Sequence, residues 1–421
     1  MIPLNERISG QKHKIIYEIL RKQDTVSKID LLIQSQLSVS TLTRTLDELC
    51  DVGLILEAGY GESTGGRRPI LYRTNATYGY LFGLEISRTF SMIILCDMHM
   101  NKLESRRWPM NEGMTPEALV EEIVYSIRSM MAVHGITVPS VLGMGIGAVG
   151  PLDRFTGTMI DPLYFPANGW KNVQICEMFE RKLGFPVLLD NGANMAIVGE
   201  HWAARNEEYQ HLLYIHLGVG IRSAMMTGGK VVYGAVDMEG SIGQMIIQTN
   251  GPRLRDSGNF GNLETYASIY AIEQQARAML MQGRQSLLLQ QMMIVSREGT
   301  ELTQNNSEQL QRHIEQVCFP QLVQAFIQQD SMAIELFTQA ATYFGIGLSN
   351  MLNILHPEKV ILGGPLVNFH PMWFETSTQV AIQNTHYYPS YPVKFSLGKL
   401  GQDALVTGAA VVVINHMTMY N

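Results

Sequence analysis

Two adjacent arginines, Arg67 and Arg68, close the glycine-rich run 63–69 (STGGRRP). Glycine leaves the backbone flexible, and arginine side chains are attracted to a narrow DNA minor groove, where negative potential is concentrated. The apolar runs 54–56 and 70–72 flank this loop and have the composition of short strands. The sequence therefore predicts a β-hairpin whose arginine-bearing loop contacts DNA.

A second group of polar side chains lies just before this hairpin. The segment from Ser38 to about Val52 predicts a helix capped by Ser38, because apolar residues recur along one face. These apolar residues are Val39, Leu42, Leu46 and Leu49. The rest of the helix offers small hydroxyls and one arginine, which suit contacts in a major groove. The candidate DNA-binding residues are Ser38, Ser40, Thr41, Thr43, Arg44, Thr45, Arg67 and Arg68.

The elements that position these side chains begin with an amphipathic helix over residues 11–22. Ser27 can cap a second short helix, and the turn 35–37 leads from it to Ser38. Two short helices joined by a tight turn and followed by a hairpin are typical of a winged helix-turn-helix. The alternative is a helical subdomain with solvated arginines. We expect residues 1–75 to be a winged helix-turn-helix DNA-binding domain.

Charge and composition restrict the class of protein. The 421 residues carry a formal net charge of −7, but residues 1–75 hold about +1, so an acidic body would be repelled by phosphate. The four cysteines show no CxxC spacing, which favours reduced thiols in a cytoplasmic protein. No run approaches the roughly 20 apolar residues of a membrane span. We expect a cytoplasmic protein without a membrane segment.

From Tyr80 the pattern changes to alternating strands and helices. Three successive strands, a helix at 116–134 and a strand at 141–147 are predicted, and a similar series starts at 212–217. Two strand-rich starts of this kind predict two α/β lobes of related design with a cleft between them.

Five segments of the body, in order, resemble the ROK family of repressors, open reading frames and sugar kinases. They are residues 145–153 (GIGAVGPLD), 165–170 (FPANGW), 217–221 (LGVGI), 356–364 (HPEKVILGG) and 403–410 (DALVTGAA). The resemblance covers nearly the whole chain, and the GGRRP loop is typical of the family's repressors. It implies an α/β fold with an actin/hexokinase-like two-lobed body and sugar in the interlobe cleft. We expect one lobe over 79–190, completed by 400–421, and another over 191–399, with a helical segment at 265–350.

The resemblance also implies that catalysis is lost. Family kinases place the base that accepts the sugar proton in an Asn-Asp-Ala-Asn sequence, and here Gly192 stands at the aspartate position. Glycine has no side chain that could accept a proton. Asp190 lies two residues earlier, on a predicted strand end, where we expect its side chain to point in a different direction from that of the family's base. The phosphate-binding segments carry larger residues, Ser87 and Arg222, at glycine positions. We expect no enzymatic activity and no cofactor.

The zinc ligands of the family are replaced as well. Matching residue by residue, the thiolate positions hold Arg255, Ser257 and Asn262, and the histidine position holds Gln244. Zinc binds thiolate and imidazole donors, and none remains at these positions. We expect no metal; either hydrogen bonds or packing replace it, or this loop is looser than in other members of the family.

Several positions that bind sugar hydroxyls in the family still carry polar side chains. Asn191 and Glu264 are kept, whereas the Glu and His of Gly-Glu-Ile-Gly-His have become Ser241 and Gln244. The candidate ligand-binding residues are Asn168, Asn191, Ser241, Gln244 and Glu264. The alternative is a decayed site in lobes that serve only as a dimerising scaffold.

Together these features predict a transcriptional regulator of carbohydrate-utilisation genes, and we expect it to be a repressor. It would bind operator DNA as a homodimer or homotetramer, with a sugar or sugar derivative as effector and coupling through a linker near 75–80. One alternative is a ROK-type sugar kinase with a regulatory DNA-binding head. Another is a regulator controlled by a protein partner.

Overall fold

The chain folds into two compact units. The computed structural model describes residues 10–62, 68–254, 258–290, 304–386, 388 and 390–419. The first unit comprises Met1–Glu208, Tyr233–Met238 and Gln402–Asn421, and the second comprises Tyr209–Val232 and Glu239–Gly401. Three residues singled out by the sequence, Arg67, Arg255 and Ser257, lie outside the described residues.

The N-terminal segment, residues 10–75, contains three helices and a three-stranded antiparallel sheet. Its elements are α1 (Gln11–Lys22), β1 (Val26–Ser27), α2 (Lys28–Ser35), α3 (Val39–Asp51), β2 (Ile55–Tyr60) and β3 (Ile70–Thr74). The sheet order is β1–β3–β2. The amide of Gly61 donates to the carbonyl of Pro69 at 2.9 Å, which extends the hairpin pairing beyond the strands. The helices and strands predicted for this segment are therefore present.

Both predicted helix caps form. The Ser27 hydroxyl accepts a hydrogen bond from the amide of Asp30 at 3.1 Å, and the Ser38 hydroxyl accepts one from the amide of Thr41 at 3.3 Å. Such caps satisfy amides that have no partner inside the helix. Gln36 ends α2 in the left-handed conformation, with φ 54°. This backbone reversal lets α3 begin three residues after Gln36.

The buried face of α3 differs from the prediction at two positions. Thr45, expected at the surface, is 3% exposed, and Val39, expected in the core, is 62% exposed. The buried residues recur at i, i+3, i+4 and i+7, and they are Leu42, Thr45, Leu46 and Leu49. Thr45 completes this inner face, while Val39 lies in the first turn, one turn before the first buried residue. The prediction that Thr45 is exposed is wrong.

A five-stranded sheet forms the rest of the first unit's core. Its strands are β4 (Tyr80–Ile86), β5 (Phe90–Asp97), β6 (Lys102–Pro109), β7 (Val141–Ala148) and, after the short hairpin β8 (Leu152–Asp153) and β9 (Thr158–Met159), β10 (Val187–Asn191). The order is β10–β7–β4–β5–β6, with β4 antiparallel to β5 and parallel to β7. The helices are α4 (Pro116–Val133), α5 (Ile175–Leu183) and α6 (Gly192–Ala203).

The second unit repeats this arrangement around β11. Its strands are β11 (Leu212–Leu217), β12 (Ile221–Thr227), β13 (Lys230–Val231), β14 (Lys359–Gly363) and β15 (Lys394–Leu397), in the order β13–β12–β11–β14–β15. Strand β11 is antiparallel to β12 and parallel to β14. The helices are α7 (Glu264–Ala267), α8 (Ile269–Met281), α9 (Gln304–Glu315), α10 (Phe319–Ile327), α11 (Ser331–Leu355), α12 (Pro365–Asn368) and α13 (Pro371–Gln383). Among the described residues, no helix is both long and apolar enough to cross a membrane.

The last helix, α14 (Ala404–Met419), returns to the first unit and packs closely against its sheet. A Cβ atom on Gly83 would lie 1.9 Å from the carbonyl oxygen of Val406. A Cβ atom on Gly145 would lie 1.9 Å from that of Ala409. Because no larger residue fits at these distances, glycine brings the backbone of α14 into contact with β4 and β7.

The N-terminal segment and the first α/β sheet share one hydrophobic core, to which α14 also contributes. This core includes Ile16, Tyr17 and Leu20 of α1, Leu81 and Ile94 of the sheet, and Val406, Ala410, Val413 and Ile414 of α14. The connection between β3 and β4 is the short 3-10 turn Ala76–Tyr78, in which Tyr78 is 8% exposed. Tyr78 and Gly79 of the predicted linker are thus buried, whereas Thr77 is exposed.

The first unit also extends past the predicted boundary between the lobes. The sequence places that boundary after Asp190, whereas the unit continues through α6 to Glu208. The reason is the packing of α6 on α14. A Cβ atom on Gly199 would lie 2.1 Å from the carbonyl oxygen of Ala404.

Candidate functional site

The outer surface of α3 presents five of the predicted DNA-binding residues. Ser38, Ser40 and Arg44 are exposed, and Thr41 and Thr43 are partly buried. The hydroxyl of Ser38 donates to Thr41 Oγ1 at 2.8 Å, and that of Thr43 donates to a helix carbonyl one turn earlier. The Arg44 side chain is 83% exposed. Of the predicted DNA-binding residues within α3, Ser40 and Arg44 are therefore the exposed ones.

The hairpin carries a further exposed cation. Strands β2 and β3 pair up to Tyr60 and Ile70, with a register shift just before Tyr60. Arg68 is exposed two residues before β3. Arg67 lies outside the described residues, so its contact with DNA stays a prediction.

The junction between β10 and α6 holds Asn191 and Gly192. The side-chain oxygen of Asn191 accepts a hydrogen bond from the amide of Ala193 at 3.1 Å and so caps α6. A Cβ atom on Gly192 would lie 2.8 Å from Leu405 Cδ1 of α14. An aspartate at position 192 would therefore require Leu405 to move.

Asp190, the nearest carboxylate to Gly192 in sequence, is hydrogen-bonded within the protein. It is 7% exposed and accepts hydrogen bonds from the Tyr233 hydroxyl at 2.7 Å, Asn194 Nδ2 at 2.9 Å and the Asn191 amide at 2.6 Å. Burial raises the pKa of Asp190, and these hydrogen bonds oppose the rise. Both carboxylate oxygens therefore accept hydrogen bonds from the protein, as expected of a residue that stabilises the local structure.

Two residues that the sequence analysis did not identify also lie at this junction. Asp237 Oδ2 accepts a hydrogen bond from Asn191 Nδ2 at 3.4 Å and one from the Leu152 amide at 3.1 Å. The ring of Tyr233 stacks with the guanidinium of Arg154 at 3.8 Å. Tyr233 and Asp237 come more than 40 residues after Asn191, and no local motif marks them. Only the folded chain brings Tyr233 to Asp190 and Asp237 to Asn191.

Asn168, the other predicted ligand residue of the first unit, is exposed in the loop between β9 and α5. The neighbouring Trp170 is buried, and its Nε1 donates to the carbonyl of Met114 at 3.0 Å. The loop is therefore fixed beside Asn168. Within the described residues, Asn168 and Asn191 share no hydrogen bond.

The remaining predicted ligand residues, Ser241, Gln244 and Glu264, lie in the second unit around the 3-10 turn Ile242–Gln244. Glu264 Oε2 accepts a hydrogen bond from the Ile221 amide at 3.1 Å. The Ser241 hydroxyl accepts one from Arg222 Nη1 at 3.1 Å. The arginine at the family's glycine position is thus bonded to the serine at its glutamate position.

Comparison with known proteins identifies the family. Residues 81–416 match the model of the ROK family. The chain belongs to the ROK family. It is 26% identical over 417 residues to a putative xylose repressor of Caldicellulosiruptor sp. (strain Rt8B.4), covering 99% of this chain and 98% of that protein.

Two solved structures of the ROK family have a similar fold. The fold is similar to that of a ROK family transcriptional regulator, a homologue of the E. coli MLC protein. The TM-score is 0.74 at 19% identity, over 98% of this chain and 97% of that chain. A ROK hexokinase from Thermus thermophilus matches 79% of this chain and 97% of its own, with a TM-score of 0.60 at 23% identity. The body therefore has the actin/hexokinase-like fold of the ROK family.

An amide pair occupies two positions that match the zinc ligands of ROK proteins. Asn262 Nδ2 donates to Gln244 Oε1 at 3.1 Å, and Asn259 Nδ2 donates to the Gln244 carbonyl at 3.0 Å. Asn262 also forms a backbone bridge with Ile246. In the part of the chain that the structure describes, no group of three or more His, Cys, Asp and Glu residues could hold a metal. Hydrogen bonds join these positions directly.

Glu85 of β4 is a buried carboxyl group in the segment that matches the phosphate-binding motif of the family's kinases. Glu85 is 6% exposed, and burial raises its pKa to about 8, against a weaker opposing effect of Arg107. The folded protein therefore holds Glu85 protonated near neutral pH, whereas the unfolded chain ionises it at its ordinary pKa.

We expect chelation with EDTA to leave the melting temperature unchanged, whereas Gln244→Ala should cost about 1–2 kcal/mol of unfolding free energy. The substitution leaves the buried Nδ2 of Asn262 without its partner. Urea denaturation measures the loss, and Gln383→Ala, which removes an exposed amide, serves as the control. Stoichiometric zinc together with a lower melting temperature in EDTA would contradict this account.

We expect Glu85→Gln to stabilise the protein in a pH-dependent way. The folded pKa lies above the unfolded one, so the cost of keeping Glu85 protonated is absent below about pH 4.5 and grows until about pH 8. Glu85→Gln should therefore raise the unfolding free energy at pH 8, by roughly 3–5 kcal/mol, and change it little at pH 4.5. Thermal denaturation between pH 4.5 and pH 8 measures the change in stability. Glu112→Gln, which alters an exposed carboxylate, is the control. An equal change at both pH values would refute the assignment.

Proposed function

We propose that this protein is a DNA-binding transcriptional repressor of carbohydrate-utilisation genes whose DNA affinity is controlled by a carbohydrate effector. One observation carries the proposal. The ROK body shares a hydrophobic core with an N-terminal segment of three helices and a hairpin, and the third helix exposes Arg44. The likeness over 99% of the chain to a putative xylose repressor supports the same function.

The N-terminal segment would act as a winged helix-turn-helix. Helices α2 and α3 with their tight turn would form the helix-turn-helix, and α3 would enter the major groove with Ser40 and Arg44. The hairpin would place Arg67 and Arg68 in a flanking minor groove. A homodimer or homotetramer would present two such segments to half-sites about one helical turn, or a multiple of it, apart.

Phosphoryl transfer is disfavoured by the residues at the junction of β10 and α6. Gly192 supplies no base, and the space beside it is occupied by Leu405. Asp190 is bonded to Tyr233 and Asn194, which leaves its oxygens poorly placed to accept a substrate proton. These contacts favour a binding protein over a kinase.

The effector would be a sugar or a sugar derivative held in part by Asn191 and Asp237 of the first unit. An amide and a carboxylate together supply both donors and acceptors for hydroxyl groups. The name of the xylose-repressor relative makes xylose the first compound to test. The contributions of Asn168, Ser241, Gln244 and Glu264 remain predictions.

Helix α6 offers a route from this site to the DNA-binding segment. Asn191 caps its first turn, and Trp202 lies in its last turn, roughly 16–17 Å away at about 1.5 Å per residue. The Trp202 ring stacks with the guanidinium of Arg21 in α1 at 4.7 Å. Arg21 is 7% exposed and pairs with Glu18 at 3.1 Å. An effector that favours one position of α6 would thereby change α1, provided that it binds the two states unequally.

We expect the double substitution Arg67→Ala and Arg68→Ala to weaken operator binding and flatten its dependence on salt. Each lost phosphate contact reduces the slope of log K against log salt by about 0.9, so the double variant should lose roughly 1–2 units. Fluorescence anisotropy with DNA from upstream of the protein's own gene, at several salt concentrations, measures both effects.

The matched control for this experiment is Arg128→Ala with Arg181→Ala, which removes the same charge from α4 and α5. If the control loses as much affinity as the hairpin variant, the effect is one of net charge. Unchanged affinity and slope in the hairpin variant would overturn the role of the wing.

A further inference from the structure

The carboxylate of Glu48, near the end of α3, is held between side chains of two helices. Its Oε1 accepts a hydrogen bond from Arg44 Nε at 2.8 Å, and its Oε2 lies 2.8 Å from His13 Nε2 of α1. Both oxygens of Glu48 are therefore engaged. Hydrogen bonds from Arg44 and His13 lower the pKa of Glu48, which keeps it ionised at neutral pH.

The geometry of the Arg44 contact leaves the outer edge of the guanidinium available. Glu48 binds Nε, so the four N–H groups on the two Nη atoms have no other partner among the described residues. The Arg44 side chain is 83% exposed beside an open cavity of about 670 Å³ between α1 and α3. Bidentate recognition of guanine O6 and N7 in a major groove uses such a free edge.

His13 fixes the other side of the carboxylate to α1. Its ring packs over the backbone of Gly10, where an added Cβ atom would lie 2.6 Å from Nδ1. The same helix buries Ile16, Tyr17 and Leu20 in the core that it shares with α14. The position of Glu48 is therefore set by α1 as well as by its own helix.

An ordinary i, i+4 ion pair on a helix surface would stabilise α3 by a few tenths of a kcal/mol and would do nothing else. Here a third residue, His13, also bonds the Glu48 carboxylate. A free arginine side chain loses much rotamer entropy when it binds, whereas one already held at Nε loses less. His13 restrains Glu48, so the direction of Arg44 is restrained as well.

We propose that Glu48 and His13 are positioning residues that orient Arg44 to read a guanine in the major groove of the operator. This inference rests on the proposed function, because it assumes that α3 enters that groove. It adds two residues that do not themselves touch DNA but determine sequence specificity. It also ties the direction of Arg44 to α1, the helix that contacts Trp202.

The test compares specific with nonspecific DNA binding. The wild-type protein first selects its preferred duplex from a random library. Anisotropy then measures affinity for that duplex, for the duplex with each conserved guanine replaced, and for a shuffled duplex. Glu48→Ala should bind the selected duplex roughly tenfold more weakly and the shuffled duplex no more weakly than the wild type does. The specificity ratio is the affinity for the selected duplex divided by that for the shuffled duplex. His13→Ala should lower this ratio as Glu48→Ala does, and His13→Asn, which keeps a hydrogen-bond donor, should lower it less.

Two comparisons separate positioning from structural or charge effects. Arg44→Ala and the double variant Arg44→Ala with Glu48→Ala should bind the selected duplex equally weakly, since Glu48 acts only through Arg44. Asp47→Ala removes the same charge from the neighbouring exposed position and should keep the specificity ratio. Circular dichroism verifies that each variant is folded.

Additive losses in the double variant, an equal loss in Asp47→Ala, or an unchanged ratio in Glu48→Ala would each overturn the inference while leaving the proposed function intact. A wild-type protein that selects no sequence would instead overturn the proposed function and the inference with it.

Discussion

The close packing of α14 against the sheet is the constraint on which the rest of the first unit depends. Gly83 and Gly145 let the backbone of α14 touch β4 and β7, and Gly199 does the same for α6. A single added methyl group at any of the three would overlap a carbonyl oxygen of α14. The helix would then have to move away from the surface that supports it. The same helix contributes Val406, Ala410 and Val413 to the core that contains α1, and its Thr418 hydroxyl donates to Glu18 of α1 at 3.3 Å. Displacing α14 would therefore also disturb the N-terminal segment.

This arrangement explains how one chain can combine a sugar-kinase fold with DNA binding. The N-terminal segment is packed into the body through α1, α14 and the end of α6, and the 3-10 turn before β4 is itself partly buried. In the proposed mechanism, an effector bound at Asn191 would therefore act through packed helices and not through a flexible tether. The contact between Trp202 and Arg21 and the contact of His13 with Glu48 lie on the same helix, α1, which also determines the direction of Arg44.

The sequence predicts those features of the fold that depend on a local pattern of residues. The caps at Ser27 and Ser38 and the strand at 212–217 depend on neighbouring residues, and these predictions agree with the structure. The two hairpin strands, predicted at 54–56 and 70–72, extend further, to Tyr60 and Thr74. Residue polarity predicts an exposed Thr45, but a threonine can complete an apolar face, and here it is 3% exposed. The meeting of Asp237 with Asn191 and the place of α6 depend on long-range packing, and no short motif encodes either one.

The central claim is that this ROK protein binds specific DNA and that a carbohydrate controls this binding. The most direct test measures binding of the purified full-length protein to DNA from upstream of its own gene at fixed salt. Xylose is added first, then other sugars, polyols and sugar phosphates. The account predicts specific binding that one of these compounds weakens. An absence of specific binding, accompanied by ATP-dependent phosphorylation of a sugar, would contradict it.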